Sequence, residues 1–278
     1  MYLIKLLIKI DLIRKFLGRF NRLLNQFDLD KSHFVGIYNN KKELIEDLSK
    51  KKISQIIGDN DINEKHVKKL IENNLNTGVN FTNDLNDSWK ERESFLCHVL
   101  TLFPLNTINV LDIGGGLKPS FFTLVSSLKQ KKIKSHVVDF ENIVKGANKI
   151  YNYTDLKYSS SYPENTTFDV IYFGSSIQYF DNLSDIYNII KNYSAKLIVI
   201  TYTSFAEDHA CFTTGAYTSS HKFIVPTRVF NINLFIDFFS NNNFELIHKS
   251  PMDQSPNKRL DLLEIKSRIY NLVFEKKS

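Results

Sequence analysis

The 278-residue chain has only two cysteines, Cys97 and Cys211, which excludes a disulfide framework and leaves no zinc-ligand spacing. Two isolated thiols fit the reducing cytoplasm, where we expect the protein to reside. The sequence also lacks an uninterrupted apolar run of about 18 residues, so we expect no membrane-spanning helix. With 42% hydrophobic and 24% charged residues, its composition is that of an ordinary globular protein and excludes wholesale disorder.

The chain has no strong excess of one charge. Its 36 Lys and Arg residues face 30 Asp and Glu residues, for a net charge of +6. The basic residues are scattered along the sequence, whereas a nucleic-acid-binding surface concentrates them on one stretch or face. We therefore do not expect nucleic acid as the partner.

Residues 1–24 carry an amphipathic pattern. Large apolar residues recur at intervals of three and four: Leu3, Leu6, Ile10, Ile13, Leu17, Phe20 and Leu24. Six Lys and Arg residues lie off this stripe, so the pattern predicts a basic amphipathic helix. Two interpretations stay open. The helix packs against protein, either its own domain or a second copy in a homodimer, or it lies on an anionic membrane surface. The second interpretation places the protein peripherally on the inner face of the membrane.

The remaining sequence divides at residue 107. Residues 25–106 are polar and Asn-rich, with helical periodicity near 39–48, 66–74 and 87–102, and we interpret them as a helical cap or lid. From residue 107, strand-like runs alternate with helical ones. The predicted strands cover 108–113, 135–140, 156–159, 168–174, 196–202, 244–249 and 268–274.

This alternation predicts an α/β domain over residues 107–278. We expect a Rossmann-like, mostly parallel sheet with helices on both faces. The last two strands lack a clear helical connection, which favours an antiparallel pair at the sheet edge. The polar stretch over 203–226 has no clear periodicity.

A glycine-rich turn follows the first of these strands. Asp112 precedes the turn, which contains Gly114, Gly115 and Gly116, and a helix is expected to begin near Pro119. Glycines at a strand-to-helix turn let the backbone approach a ligand and direct N–H groups at it. At the end of the next strand, Asp139 is placed to accept hydrogen bonds from ribose hydroxyls. The pattern predicts a cofactor that contains a nucleoside.

Two classes of cofactor use this geometry. A dinucleotide-binding turn requires G-x-G-x-x-G, but Pro119 occupies the last of those positions and the next glycine is Gly146. S-adenosylmethionine carries an α-ammonium group, for which an acid beside the turn is useful. The spacing favours S-adenosylmethionine, with an NAD(P)-dependent Rossmann oxidoreductase as the alternative.

From residue 107 to 274 the sequence resembles the class I S-adenosylmethionine-dependent methyltransferases. The first motif of that family is an acid, any residue, and then glycines at alternate positions. Asp112, Gly114 and Gly116 match it, whereas Lys118 stands where a third glycine is usual. More narrowly, the chain looks like methyltransferases found with bacterial surface-polysaccharide genes. That likeness is carried by residues 33–38, 111–117, 137–139, 168–170 and 175–179.

The resemblance implies S-adenosylmethionine as cofactor, with its methionine part held by Asp112 and the glycines of the turn. Asp139 would hold the ribose, and Phe140 would lie beside the adenine. Ser175 and Ser176 would border the sulfonium and the substrate. The implied reaction is O-methylation of a sugar or sugar-phosphate of a cell-surface polysaccharide. A catalytically silent scaffold subunit with the methyltransferase fold is a second alternative.

A hydroxyl acceptor benefits from a base that removes its proton. His209 and His221 lie in the polar stretch after the fifth core strand, which faces the substrate mouth in a class I sheet. We predict His209 as the first candidate and His221 as the second, with His33 as a third on a lid. We predict no metal, because Glu207, Asp208 and His209 are adjacent and rarely point the same way.

Overall fold

The computed structural model describes residues 34–50, 87–217, 224–251 and 265–277. The helices predicted over 1–24 and near 66–74 lie outside these ranges. So do His33 and His221.

Within the described ranges the chain forms ten strands and six helices. The strands are β1 (Phe34–Tyr38), β2 (Thr107–Ile113), β3 (Lys132–Val138), β4 (Leu156–Ser159), β5 (Val170–Gly174), β6 (Leu197–Ala206), β7 (Phe212–Tyr217), β8 (Ile224–Asn231), β9 (Phe244–Pro251) and β10 (Ser267–Lys276). The helices are α1 (Lys41–Lys50), α2 (Asp87–Leu102), α3 (Phe121–Ser127), α4 (Glu141–Ile150), α5 (Leu183–Ile190) and α6 (Ile232–Asn241), and a 3₁₀ turn spans Ile177–Tyr179. Every strand predicted after residue 107 overlaps an observed one.

The core sheet has the strand order β4-β3-β2-β5-β6-β10-β9. β2 to β6 pair in parallel, whereas β10 runs antiparallel to both β6 and β9. The mostly parallel, Rossmann-like sheet with antiparallel pairing near one edge is therefore confirmed. The antiparallel β9–β10 pair is present, but β10 lies between β6 and β9, so β9 is the edge strand.

Helices cover both faces of the core sheet because the central strands are apolar on both sides. β5 is buried along its whole length. One face packs against α2, α3 and α4, through residues such as Leu96, Leu124 and Ala147. The opposite face packs against α5 and α6, through residues such as Ile186 and Phe235. Among the described helices, none is long and apolar enough to cross a membrane.

A small antiparallel sheet of β1, β7 and β8 extends the core sheet. β8 joins it by pairing in parallel with the end of β6, where Phe205 lies opposite Phe230. Helix α1 buries Leu44 and Leu48 against this extension, together with Ile224. The polar stretch over 203–226 thus contains strands that its periodicity did not reveal.

The region predicted as a helical cap is also partly β-structure. β1 lies within residues 25–106 and pairs with β7. Helix α1 follows it and begins with a reciprocal cap. The N–H of Glu43 donates to Asn40 Oδ1 at 3.0 Å, and the N–H of Asn39 donates to Glu43 Oε2 at 3.0 Å. Helix α2 matches its predicted bounds of 87–102.

Candidate functional site

The glycine turn connects the end of β2 to the start of α3. Gly114 and Gly116 have φ values of +74° and +65°, a region that side chains with a Cβ rarely adopt. A Cβ on Gly114 would lie 2.7 Å from Ser176 Cβ, whereas a Cβ on Gly116 would meet nothing within 4 Å. The turn therefore packs tightly against the β5 loop at Gly114 and leaves open space at Gly116.

Asp112 lies beneath this turn and is only 1% exposed. Its Oδ2 accepts hydrogen bonds from the Ser120 N–H at 3.1 Å and the Ser120 hydroxyl at 2.7 Å. A Cβ on Gly115 would lie 2.9 Å from the Asp112 carboxyl carbon. Burial raises the pKa of Asp112, and the bonds from Ser120 and the charge of Arg92 oppose that rise. The Asp112 carboxylate thus contacts the glycine turn and is hydrogen-bonded to Ser120 at the start of α3.

Asp139 follows β3, the strand next to β2. Its Oδ2 accepts from the Gly116 N–H at 2.8 Å, and its Oδ1 accepts from the Phe140 N–H at 2.7 Å. Burial raises the pKa of Asp139, and these two N–H donors oppose the rise. The Phe140 side chain beside it is 39% exposed. The structure therefore places Asp139 against the glycine turn, with the exposed Phe140 next to it in the chain.

The loop after β5 supplies the third side of the site. Ser175 has a φ of +62°, and its N–H donates to the carbonyl of Thr201 at 3.0 Å. The Ser176 hydroxyl donates to the carbonyl of Ile113 at 2.5 Å, and the residue is 6% exposed. Ser176 thus ties the β5 loop to the end of β2, while Ser175 is half-buried at the carboxyl edge of the sheet.

One buried pair at this edge was missed in the sequence. Arg92, on α2, is 8% exposed and donates from Nη1 to the carbonyl of Gly174 at 2.9 Å. Its Nη2 lies 3.5 Å from Oε1 of Glu93, which is 2% exposed. Burial raises the pKa of Glu93. A single Arg-Glu pair in a polar helix carries no sequence signal, because its burial depends on the packing of α2 on the sheet.

The first candidate base lies in the extension. His209 follows β6, and its ring centroid is 5.4 Å from that of Phe212. Its carbonyl accepts from Asn231 Nδ2 at 2.8 Å. The contacts of His209 are thus with β7 and β8. Its role as a base stays a prediction, as does that of His221, which lies outside the described residues.

The acids beside His209 bind the start of β10. Glu207 accepts a hydrogen bond from the Tyr270 hydroxyl and lies 3.3 Å from the charged nitrogens of both Lys266 and Arg268. Asp208 Oδ1 accepts from the Lys266 N–H at 3.2 Å. In the part of the chain that the structure describes, no three or more His, Cys, Asp or Glu residues are grouped so as to hold a metal ion.

No family model and no curated protein matches this sequence. Solved structures do match the fold. Phosphoethanolamine N-methyltransferase 2 from Haemonchus contortus, in complex with S-adenosyl-L-methionine, has a TM-score of 0.53 and 14% identity, over 80% of this chain and 60% of that chain. 1,6-Didemethyltoxoflavin-N1-methyltransferase from Burkholderia thailandensis, with bound S-adenosylhomocysteine, has a TM-score of 0.48 and 11% identity, over 81% of this chain and 93% of that chain.

A third similar structure is geranyl diphosphate C-methyltransferase from Streptomyces coelicolor A3(2), in complex with Mg²⁺, geranyl diphosphate and S-adenosyl-L-homocysteine. Its TM-score is 0.47 and its identity 7%, over 70% of this chain and 85% of that chain. The strand order of the core sheet and the match at a TM-score of 0.53 show that this chain has the Rossmann-like fold of the class I S-adenosylmethionine-dependent methyltransferases.

Proposed function

We propose that this protein is an S-adenosylmethionine-dependent methyltransferase. The observation that carries the proposal is the hydrogen bond between Asp139 and the Gly116 N–H at the carboxyl ends of β2 and β3. It holds the second acid against the open part of the glycine turn. Ligands of open α/β sheets bind in this crevice, where an acid after the second strand accepts hydrogen bonds from ribose hydroxyls.

Each group at the site has a role toward this cofactor. A carboxylate offers about four lone-pair positions, so Asp139 can accept from two backbone N–H groups and still accept from a ribose diol. The exposed ring of Phe140 would lie beside the adenine. The backbone of the turn would approach the methionine part where Gly116 leaves open space. Asp112 is buried, so its charge would act on the α-ammonium group from beneath the turn.

The cofactor supplies an activated methyl group on a sulfonium, and the protein's task is to align an acceptor with it. We propose as acceptor a hydroxyl of a sugar or sugar-phosphate of a cell-surface polysaccharide. This assignment is supported by the sequence resemblance over residues 111–117 and 175–179. His209 and His221 are the proposed bases for that hydroxyl.

Ligand titration tests the cofactor. We expect S-adenosylhomocysteine to bind the full-length protein and to raise its melting temperature, and we expect NAD⁺ and NADP⁺ to do neither. Binding of the dinucleotides with no response to S-adenosylhomocysteine would replace this proposal with the oxidoreductase alternative.

Turnover tests the activity. Methyl-labelled S-adenosylmethionine is incubated with nucleotide-activated sugars and with lipid-linked glycan intermediates, and transfer of label is measured. Transfer to a sugar hydroxyl is the expected result. Cofactor binding without transfer to any of these acceptors would contradict the proposed acceptor and favour a scaffold subunit.

A further inference from the structure

An irregularity in the pairing of β6 with β10 lies beside the site. Thr203 is opposite Tyr270, and Ile200 is opposite Leu272. Two residues of β6, at 201 and 202, therefore face the single residue Asn271. This is a β-bulge, a feature that re-aims a side chain and is over-represented next to active sites.

The burial pattern identifies the inserted residue. Ile198 and Ile200 pack into the core cluster beneath α5 and α6, and so does Phe205. Side chains of a regular strand alternate between faces, so residues 200 and 205 would point to opposite sides. Because residues 200 and 205 in fact lie in the same core cluster, the strand must contain one extra residue between them. Tyr202 is that residue, because it is half-buried and has a φ of +53°.

Two hydrogen bonds hold this conformation. The Tyr202 N–H donates to Asn271 Oδ1 at 3.1 Å, and Asn271 is 7% exposed. The Thr203 hydroxyl donates to the carbonyl of Thr201 at 3.2 Å. A positive φ is unfavourable for a bulky aromatic residue, and such strained residues persist where the surrounding structure over-determines them, often at functional sites.

The bulge lies at the carboxyl ends of the central strands. The carbonyl of Thr201 accepts from the N–H of Ser175, a second residue with positive φ. Ser176 in turn bonds to Ile113, which precedes the glycine turn. A continuous set of hydrogen bonds therefore joins the ends of β2, β5 and β6, with the cofactor turn on one side and Tyr202 on the other.

We propose that the ring of Tyr202 lies against the transferable methyl group of bound S-adenosylmethionine and so forms a wall of the acceptor pocket. This inference rests on the proposed function. It explains why a tyrosine occupies a backbone position suited to glycine. The bulge moves residue 202 out of the alternation that would bury it in the core, and the hydrogen bond from its N–H to Asn271 holds the backbone in this conformation.

The test uses full-length protein with S-adenosylmethionine carrying a ¹³C-labelled methyl group. The chemical shift of that methyl is measured in the wild type and in Tyr202→Phe and Tyr202→Gly. An aromatic ring in contact with the methyl shifts its resonance. We expect Tyr202→Phe to keep the wild-type shift and Tyr202→Gly to move it toward the value of the free cofactor.

Stability measurements separate a contact role from a structural one. Glycine adopts a φ of +53° without strain, so Tyr202→Gly should keep the backbone of the bulge. We therefore expect no loss of melting temperature from a change in the bulge. Asn165→Gly is the matched control, because Asn165 has the same φ of 53° in an exposed loop. It should leave the methyl resonance unchanged. A Tyr202→Gly protein that binds the cofactor with an unchanged methyl resonance overturns the inference. Failure of the wild type to bind S-adenosylmethionine would instead overturn the proposed function.

Discussion

Replacement of Asp139 separates its role in binding from its role in the fold. The carboxylate accepts from the Gly116 and Phe140 N–H groups in the structure and, by our proposal, from two ribose hydroxyls in the complex. Hydrogen bonds to a charged acceptor contribute about 1.5–3 kcal/mol. Since about 1.4 kcal/mol is a factor of ten in affinity, Asp139→Ala should weaken S-adenosylhomocysteine binding roughly ten- to a hundredfold.

Asp139→Asn makes the test sharper. The amide keeps one oxygen for the Gly116 N–H but loses the charge and part of the acceptor capacity, so its affinity should fall between those of the wild type and the alanine variant. Burial raises the pKa of Asp139 in the folded protein. At a pH above the folded-state pKa of Asp139, its ionised carboxylate therefore makes folding less favourable. The neutral amide of Asp139→Asn should thus not lower the melting temperature at pH 7.5.

Calorimetric titration and thermal unfolding of these variants provide the assay. Asp237→Ala is the matched control, because Asp237 is exposed on α6, away from the site. It should bind S-adenosylhomocysteine as the wild type does. Unchanged affinity in Asp139→Ala would refute the ribose assignment. A loss of affinity accompanied by unfolding in both Asp139 variants would show a structural role instead.

Three further predictions concern the turn, a half-buried histidine and the N-terminal segment. Gly114→Val should distort or unfold the turn, because a Cβ at this position would lie 2.7 Å from Ser176 Cβ. A variant with a normal circular dichroism spectrum and normal affinity for S-adenosylhomocysteine would contradict this prediction. Burial, and to a lesser degree the charge of Lys157, lowers the pKa of His136. The stability that the neutral imidazole contributes should therefore be lost as the pH falls below about 6.5. The free energy of unfolding, measured at pH 5 and pH 7.5, should change less between the two pH values in His136→Gln than in the wild type. Deletion of residues 1–24 should change the oligomeric mass that light scattering measures. If the full chain instead co-sediments with anionic vesicles, less so at high salt and not after the deletion, the segment binds a membrane surface.

The relation of the glycine turn to Asp139 was predictable because both depend on local sequence. A run of β-branched and apolar residues forms β2, and three glycines end it in a turn. A second such strand ends before Asp139. Parallel pairing of consecutive strands then brings the two ends together, so the cofactor side of the site needed little tertiary information.

The packing around that turn was not predictable in the same way. The sequence predicts that Asp112 holds the methionine part, and it gives no sign of the hydrogen bonds with Ser120 that bury this carboxylate. The sequence predicts that Ser176 borders the sulfonium and the substrate, and it gives no sign that the Ser176 hydroxyl donates to the carbonyl of Ile113, 63 positions earlier in the chain. Which partner a polar side chain finds depends on the loops that meet it, and those loops are distant in sequence.

The sequence by itself determined the alternation of strands and helices after residue 107, because apolar periodicity reflects which face of each element is buried. Only the tertiary structure decided the β1–β7–β8 extension and the bulge at Tyr202. The strands of this extension show no clear periodicity in the sequence, and they become visible only through their pairing. The bulge at Tyr202 requires Asn271, 69 residues away, as the partner of its N–H. A local pattern cannot encode a backbone conformation that a distant strand imposes.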